Sequence, residues 1–332
     1  MAIRSGLAGQ AGFASEGTYG SYTTVDHFLE VDVADVKDTS VWAQGSGVAA
    51  GRMQQLGSRR VRTQYGAQGT LQHQVSNKGL GPLLQALMGT SVTPTQVNTS
   101  TGYLQTHTLA DPFGKSLSVQ TGIPDLTGTV RPYNFLGCKV QSAEFKCNSG
   151  EMLTATWNLI GREVEESDTL VAASYPTTTT PFNFLQSTVK VGTYGSEASV
   201  SGIRGMSCMI ARASREDRFY HGSGAKMAEP IINDYQAITG SFDVDFMDKT
   251  VFADKFHAGT AFSLVWEFVG ASLGGSPTVN ELFRITVPQV HLTGDTPTLN
   301  GPDIITGSFP FEATFDGSHQ PKIEYISVDT TL

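Results

Sequence analysis

Three observations in this sequence predict a mainly β protein made of two tandem β-sandwich or barrel units, each flanked by one short α-helix. Charge is sparse: Asp, Glu, Lys and Arg make up 16% of the 332 residues, against about 25% in an ordinary soluble domain. Glycine is abundant, at 36 residues, and short Ser/Thr-rich segments separate the apolar runs, which is turn punctuation rather than a pattern of long helices. The third observation is a strand–helix pattern that occurs twice. The length also exceeds the roughly 250–300 residues at which a single core stops growing, so two units are the default.

The repeat starts at two short strands. GTLQHQV (Gly69–Val75) and GSFDVDF (Gly240–Phe246) both alternate with period two, the pattern of a half-buried strand. Leu71, His73 and Val75 share one face, as do Phe242, Val244 and Phe246. Thr70, Gln72 and Gln74 form the other, polar face, matched by Ser241, Asp243 and Asp245. NKGLGPLLQALMGT follows the first strand and MDKTVFADKFHAGT the second. In one, Leu83, Leu84, Leu87 and Met88 make an apolar stripe with Pro82 early and Gly89 as stop; in the other, Val251, Phe252 and Phe256 make it and Gly259 ends it. Each is a short helix that needs a sheet to rest on.

Further strands follow in the same order. KSLSVQTG, YNFLGCKVQSAEFKC and SGEMLTATWNLIG in the first half correspond to AFSLVWEFVG, ELFRITVPQVHLTG and NGPDIITGSFPFEA in the second. Ser149-Gly150 and Asn300-Gly301 are turn signals before the last of these. ASYPTTTTP is a Pro- and Thr-rich boundary. The expected organisation is an N-terminal arm over 1–24, unit 1 over 25–172, a linker over 173–180, unit 2 over 181–320 and a C-terminal segment over 321–332. Long segments, near Thr39–Thr63 and Ser196–Asn233, interrupt the halves, and loops of that length in compact domains are usually functional or disordered.

Composition excludes several functions. Lys+Arg is 22 and Asp+Glu is 31, a net charge of −9, which argues against tightly held nucleic acid. No apolar run approaches a membrane span. MAIRSGLAGQ at the start lacks the apolar stretch of a secretory signal, so the expectation is a soluble protein kept where it is made. Cys138, Cys147 and Cys208 have neither an even count nor metal-ligand spacing, against both a disulfide framework and a zinc site.

Fragments that look like chemistry fail on spacing. Gly114-Lys115-Ser116 ends like a phosphate loop, but Leu109 or Ala110 stands where the loop's first glycine must be. Asp243, Asp245 and Asp248 lack a full oxygen cage. Glu163, Glu165 and Glu166 read as surface, and His73, on an apolar face, reads as a packed side chain. There is no GxSxG or HExxH, and Asn98-Thr99-Ser100 is a glycosylation sequon without meaning in a chain that is not secreted. No catalytic, cofactor or metal site is expected, and the chain is not expected to be an enzyme.

The motifs in their order resemble a known family. EGTYGSYTT (Glu16–Thr24), KGLGPLLQALMGT, DLTGTVRPYNFLGCKV, ASYP, HAGTAFSLVWEF and NGPDI…PFEA…DG together resemble the major tail tube proteins of long, non-contractile phage tails. The resemblance implies a β-sandwich or partly closed barrel with a flanking helix, assembling into rings that stack into a tube for the genome. Single-domain relatives form six-fold rings, so a duplicated chain implies three chains per ring. It also implies a place in the virion tail after assembly in the bacterial host cytoplasm, and as partners further copies of the chain, a tape measure protein and tail terminator and tip proteins. DNA would pass without specific binding, and no membrane is involved. The alternative is a β-sandwich binding or adhesion module of a virion or cell surface.

Two candidate surfaces follow. Between Thr39 and Ala110 there is no Asp or Glu, while Arg52, Arg59, Arg60, Arg62 and Lys78 fall inside; just before it lie Asp26, Glu30, Asp32, Asp35 and Asp38. This pattern fits two solvated surfaces, complementary faces on stacked copies, or an arginine patch gripping DNA. Arg52, Arg59, Arg60 and Arg62, with the arm Met1–Tyr22, are the candidate ring-stacking interface. Thr70, Gln72, Gln74, Ser241, Asp243 and Asp245 are the candidate channel-facing residues, because a passage for DNA needs polar or acidic walls rather than cations. The outer wall of the tube is the competing place for them.

Overall fold

Alternation of apolar and polar residues fixes the architecture, because a strand with one wet face must cover a core with the other. The computed structural model describes residues 5–166, 169–246, 249–250, 252–294, 301–302 and 304–332. Residues 1–4 of the arm, Asp248, Val251 and Asn300 lie outside the described residues. The first half contains β1 (Gln10–Ser15), β2 (His27–Phe28), β3 (Val31–Asp38), β4 (Val41–Gln44), β5 (Arg60–Gln64) and β6 (Ala67–Gln74), then α1 (Gly81–Met88). It continues with β7 (Thr95–Gln96), β8 (Tyr103–Thr108), β9 (Leu117–Pro124), β10 (Val130–Asn148), β11 (Thr154–Gly161) and β12 (Glu163–Glu166). The second half has β13 (Ser187–Thr193), β14 (Ser196–Ser199), β15 (Ile203–Ala211), β16 (Ser214–Arg215), β17 (Ile231–Ile232) and β18 (Ala237–Asp245), then α2 (Ala253–Ala258). It ends with β19 (Phe262–Gly274), β20 (Val279–Leu292), β21 (Thr306–Ala313) and β22 (Lys322–Ser327).

The chain is mainly β, and the pairing order is used twice. In the first half β3 pairs with β6, β6 with β11 and β11 with β10. In the second, β15 pairs with β18, β18 with β21 and β21 with β20. Registers correspond as well: Val36 lies opposite Gly69, and Cys208 opposite Gly240. Both glycines answer the same steric demand. A Cβ on Gly69 would fall 1.9 Å from the carbonyl oxygen of Asp35, and one on Gly240 2.1 Å from that of Ser207. Asp35 and Ser207 precede the corresponding residues Val36 and Cys208, so the same close approach is built into both halves.

The two sets of four are joined edge to edge. The C-terminal half of β10 pairs antiparallel with β15, from Ser142 opposite Ala211 to Asn148 opposite Gly205. The result is one antiparallel sheet in the order β3-β6-β11-β10-β15-β18-β21-β20. A second layer contains β2-β1-β9-β10-β12 in the first half and β14-β13-β19-β20-β22-β8-β7 in the second. β10 serves both layers because Gly137, at φ 64°, bends it; a Cβ there would sit 2.8 Å from Arg162 Cβ. A register shift between Val140 and Ser142 adds to the bend. Among the described residues the pairings do not close into a barrel.

One core fills the space between the layers. Leu71, Ala155, Trp157, Phe145, Cys208, Phe242 and Phe311 point into it from the long sheet. Phe145 of the first half meets Trp157 edge-on at 5.7 Å and Phe283 of the second at 5.3 Å, so the halves share one apolar interior. α1 is buried at all its residues except Gln85; its Pro82 lies in the first turn, and Gly89 ends it at φ 89° with its N–H donating to Gln85 O. α2 is shorter and ends at Gly259, φ 60°.

The termini are more integrated than an arm and a tail. β1 lies within the segment expected as an arm, yet Phe13 and Ala14 are buried against β9. β22 occupies the C-terminal segment, and β8 from the first half pairs with it, Lys322 opposite Thr108. Phe246 also departs from its expected face: β18 ends at Asp245, and Phe246 is exposed.

Candidate functional site

The outward face of the eight-strand sheet is mostly polar, with Val33 and Met209 as exposed apolar residues on it. The registers place Asp35, Thr70, Asn158 and Ser142 in one row across β3, β6, β11 and β10. Ser207, Ser241 and Pro310 form a similar row across β15, β18 and β21. Side chains link neighbours: Thr70 Oγ1 donates to Asn158 Oδ1 at 3.1 Å, Asn158 Nδ2 donates to Ser142 Oγ at 2.8 Å, and the hydroxyls of Ser207 and Ser241 are 3.2 Å apart. Such rungs cover the backbone of a wet sheet and make it a stiff, smooth surface.

All six residues singled out for their polar alternation lie on this one face. Thr70, Gln72 and Ser241 are half-buried among their neighbours, Gln74 and Asp243 are exposed, and Asp245 is half-buried beside Arg204, whose Nη1 is 3.4 Å from Asp245 Oδ1. The opposite faces of these strands are core, including His73, which is buried at 1% exposure. Its Nδ1–H donates to Gln74 O at 2.8 Å and its Nε2 accepts from Trp157 Nε1 at 2.8 Å. It is a packed and satisfied side chain, and burial holds its pKa below the ordinary histidine value.

Arg52, Arg59, Arg60 and Arg62 sit together on a second feature, an arm made by β4, β5 and the turn between them. Two guanidinium groups lie over Trp42, Arg60 at 5.5 Å and Arg62 at 4.8 Å from its ring centre, and Arg62 also lies 4.7 Å over Tyr65. Cation–π contacts at a wet surface contribute about 0.5–1 kcal/mol each. Arg52 and Arg59 make no ion pair among the described residues. The arm also exposes Val41, Trp42, Val48, Met53, Leu56 and Val61.

Sequence reasoning missed a third feature, a latch across the seam between the halves. Lys139, buried on β10, lies 2.7 Å from Glu229 Oε1, which also accepts from Gly114 N at 2.6 Å. Burial lowers the Lys139 pKa while Glu229 opposes the shift. Arg212, 5% exposed, donates to the Ala110 carbonyl. The only signal in the sequence is a lysine inside the apolar run LGCKV, which alternation alone does not interpret.

Among the described residues no group of His, Cys, Asp and Glu is arranged to hold a metal ion, and the three cysteines are buried and unpaired, their thiol pKa values raised by burial. No helix is long and apolar enough to cross a membrane. The family profile described as phage tail tube protein matches residues 6–313. The chain belongs to the phage tail tube protein family. A search of curated proteins found no match. A tail tube protein is a structural component of the virion tail, and that role suits broad polar and charged faces.

Proposed function

We propose that this tail tube protein closes head to tail into rings of three chains, which stack into the conduit for genome delivery. The single observation that carries the proposal is the β10–β15 seam. It already joins two corresponding four-strand sets inside one chain. β3 corresponds to β15, and its outer edge pairs with nothing among the described residues. Burial supports the same reading: Met206 and Ile210 on β15 are buried, whereas their counterparts on β3, Ala34 and Asp38, are half-buried and exposed. At the far end, the β20–β21 hairpin corresponds to β10–β11, with Val290–Leu292 in the place of Cys138–Val140. The counterparts of the seam residues Ser142–Asn148 fall at 294–300, of which 295–300 lie outside the described residues. Joining that end to β3 of a second copy repeats the internal seam, and unlike surfaces meeting in this way generate a ring when the rotation closes. Two sets per chain give pseudo-six-fold symmetry with three chains.

In this reading the polar sheet face lines the channel, with Thr70, Gln72, Gln74, Ser241, Asp243 and Asp245 on it, and DNA passes without being held. The β4–β5 arm carries Arg52, Arg59, Arg60 and Arg62 toward the acidic surface of the next ring. Assembly takes place in the host cytoplasm with the tape measure, terminator and tip proteins as further partners. The two halves serve as units over 25–172 and 181–320.

The test uses native mass measurement of rings with two single variants, Asp35→Pro and Val36→Pro. Adjacent residues of an edge strand send their N–H groups to opposite sides. One proline therefore removes a bond to β6, and the other removes only the group offered to a neighbour. The expected result is three chains per wild-type ring and one proline variant that folds normally yet stays monomeric. Six chains per ring, or rings from both variants, would overturn the proposal.

A further inference from the structure

We infer that the β4–β5 arm of one chain seats sideways on the second half of the neighbouring copy in the same ring, with its apolar tip against Phe315. The inference rests on the ring reading above and adds a lateral contact to it, leaving the arginines for the axial one.

The argument comes from the second arm of the same chain. Residues 40–65 and 212–236 occupy the same place in the two halves, between β3 and β6 and between β15 and β18, and differ by one residue in length. The second arm is not free. It lies across the first half, where Ala225 O accepts from Tyr65 N at 2.9 Å, Lys226 pairs with Glu163 at 2.5 Å, and Glu229 reaches Lys139 and Gly114. Its Met227 is 3% exposed. Among the described residues the first arm's hydrogen bonds are internal apart from that one at Tyr65 and one from Ser40 N to Asp38 Oδ1 at its base. Val48 and Met53 are 107% and 103% exposed, which means apolar side chains standing fully in water.

The surface that the second arm covers has a counterpart in the second half, and among the described residues no arm lies across that counterpart. Leu117 lies opposite Cys138, and Phe262 opposite Val290. Gly114 therefore corresponds to Gly259, and Lys139 to His291. Both glycines have positive φ, 75° and 60°. At the exit from the long sheet Arg162 N donates to Leu136 O and Thr314 N to Gln289 O, so Glu163 corresponds to Phe315. Gly259 and Thr293 are exposed, and Phe315 is 58% exposed.

The chemistry changes on both sides together. Within the chain a lysine on the arm meets a glutamate on the surface. On the free pair, the residues around the position of Lys226 are Met53, Gln54, Gln55 and Leu56, and the surface offers a phenylalanine in place of the glutamate. An apolar arm facing an apolar spot is complementary, and among the described residues neither finds such a partner within its own chain. Burial of such side chains on association is favourable at about 25 cal/mol per Å² of apolar area. A second copy is the occupant that carries both surfaces in the required relation.

The experiment is a double cysteine variant, Met53→Cys with Phe315→Cys, oxidised with copper phenanthroline in isolated rings; the native cysteines are buried. A covalent ladder ending at the closed ring is expected. Phe315→Asp, at an exposed site, should leave the monomer's melting temperature unchanged and raise the concentration needed for rings at least tenfold, with Phe315→Leu restoring most of the loss. Wild-type-like rings from Phe315→Asp and no cross-link would overturn the lateral seat while leaving the ring reading intact. A cross-link that forms only in stacked tubes would overturn it too, by making the contact axial. A wild-type chain that stays monomeric at every concentration would overturn the ring reading, and this inference with it.

Discussion

Lowering the pH should destabilise the monomer through two buried histidines well before its carboxylates titrate. His107 is fully buried on β8, with Nε2–H donating to Gln105 Oε1 at 3.2 Å and Nδ1 without a partner. A second proton on Nδ1 would be a charge in the core with no acceptor, and burial pulls the pKa down to about 4. The unfolded value is about 6.5. A histidine with a depressed folded pKa supplies stability that is complete above the unfolded value and is lost as pH falls between the two values. From pH 7.5 to 5.0 the unfolded chain takes up this proton and the folded chain does not, which costs about 2 kcal/mol for His107. His73 acts in the same direction, because protonating Nε2 would break the Trp157 bond. Urea unfolding of dilute monomer at pH 7.5, 6.0 and 5.0 measures the loss. Replacement of His107 by leucine should remove about 2 kcal/mol of the pH dependence and leave the His73 part. A stability that stays flat from pH 7.5 to 5.0 in the wild type would refute the reasoning, since no partner for Nδ1 could then be missing.

Two further outcomes are expected. Lys139→Met strands Glu229 beside the Gly114 amide, and breaking one side of a buried pair costs about 3–5 kcal/mol; chemical denaturation of the monomer reads it, and a loss below about 1 kcal/mol would make the latch a surface contact. Asp243→Cys should resist a bulky thiol reagent in intact closed tubes and react rapidly in free monomers, because the polar face lies inside the tube in the proposed assembly; rapid labelling of closed tubes would move that face to the outer wall.

How far the sequence was legible depends on the range of the interactions involved. The strands at Gly69–Val75 and Gly240–Phe246 could be read because alternation is a local property, and only Phe246 lost its place, where the strand ends one residue early. α1 was legible from Pro82 and Gly89 for the same reason. The six polar residues could be assigned a common face, since their partners across each strand had to be core. Nothing local indicates that β8 crosses to β22, that β10 turns between layers at Gly137, or that β10 accepts β15. Those pairings join residues far apart in the chain, and each edge offers the same N–H and C=O groups to any strand. The four arginines were legible as a charge pattern, but the stacking of Arg60 and Arg62 on Trp42 depends on a hairpin register with a shift between Val41 and Trp42.

In the proposed ring one of the two kinds of seam is intramolecular, and the residues at the two differ accordingly. Inside the chain, Arg212 and Lys139 hold the 110–114 loop and Glu229. At the corresponding positions of the open seam stand Ser40 and His291, which carry no fixed charge to bury. A latch built on a buried ion pair suits a seam that forms once, during folding, when the desolvation of both ions is offset by the cooperative closure of the core. It would burden a seam that forms between separate chains, where association already costs at least about 4 kcal/mol of lost translational and rotational freedom. The free edge is guarded in the meantime: Asp35, Lys37 and Asp38 on β3 are exposed charges, the usual means of keeping an edge strand from pairing at random. In the proposed ring, a neighbour must therefore bring complementary side chains along with the right register.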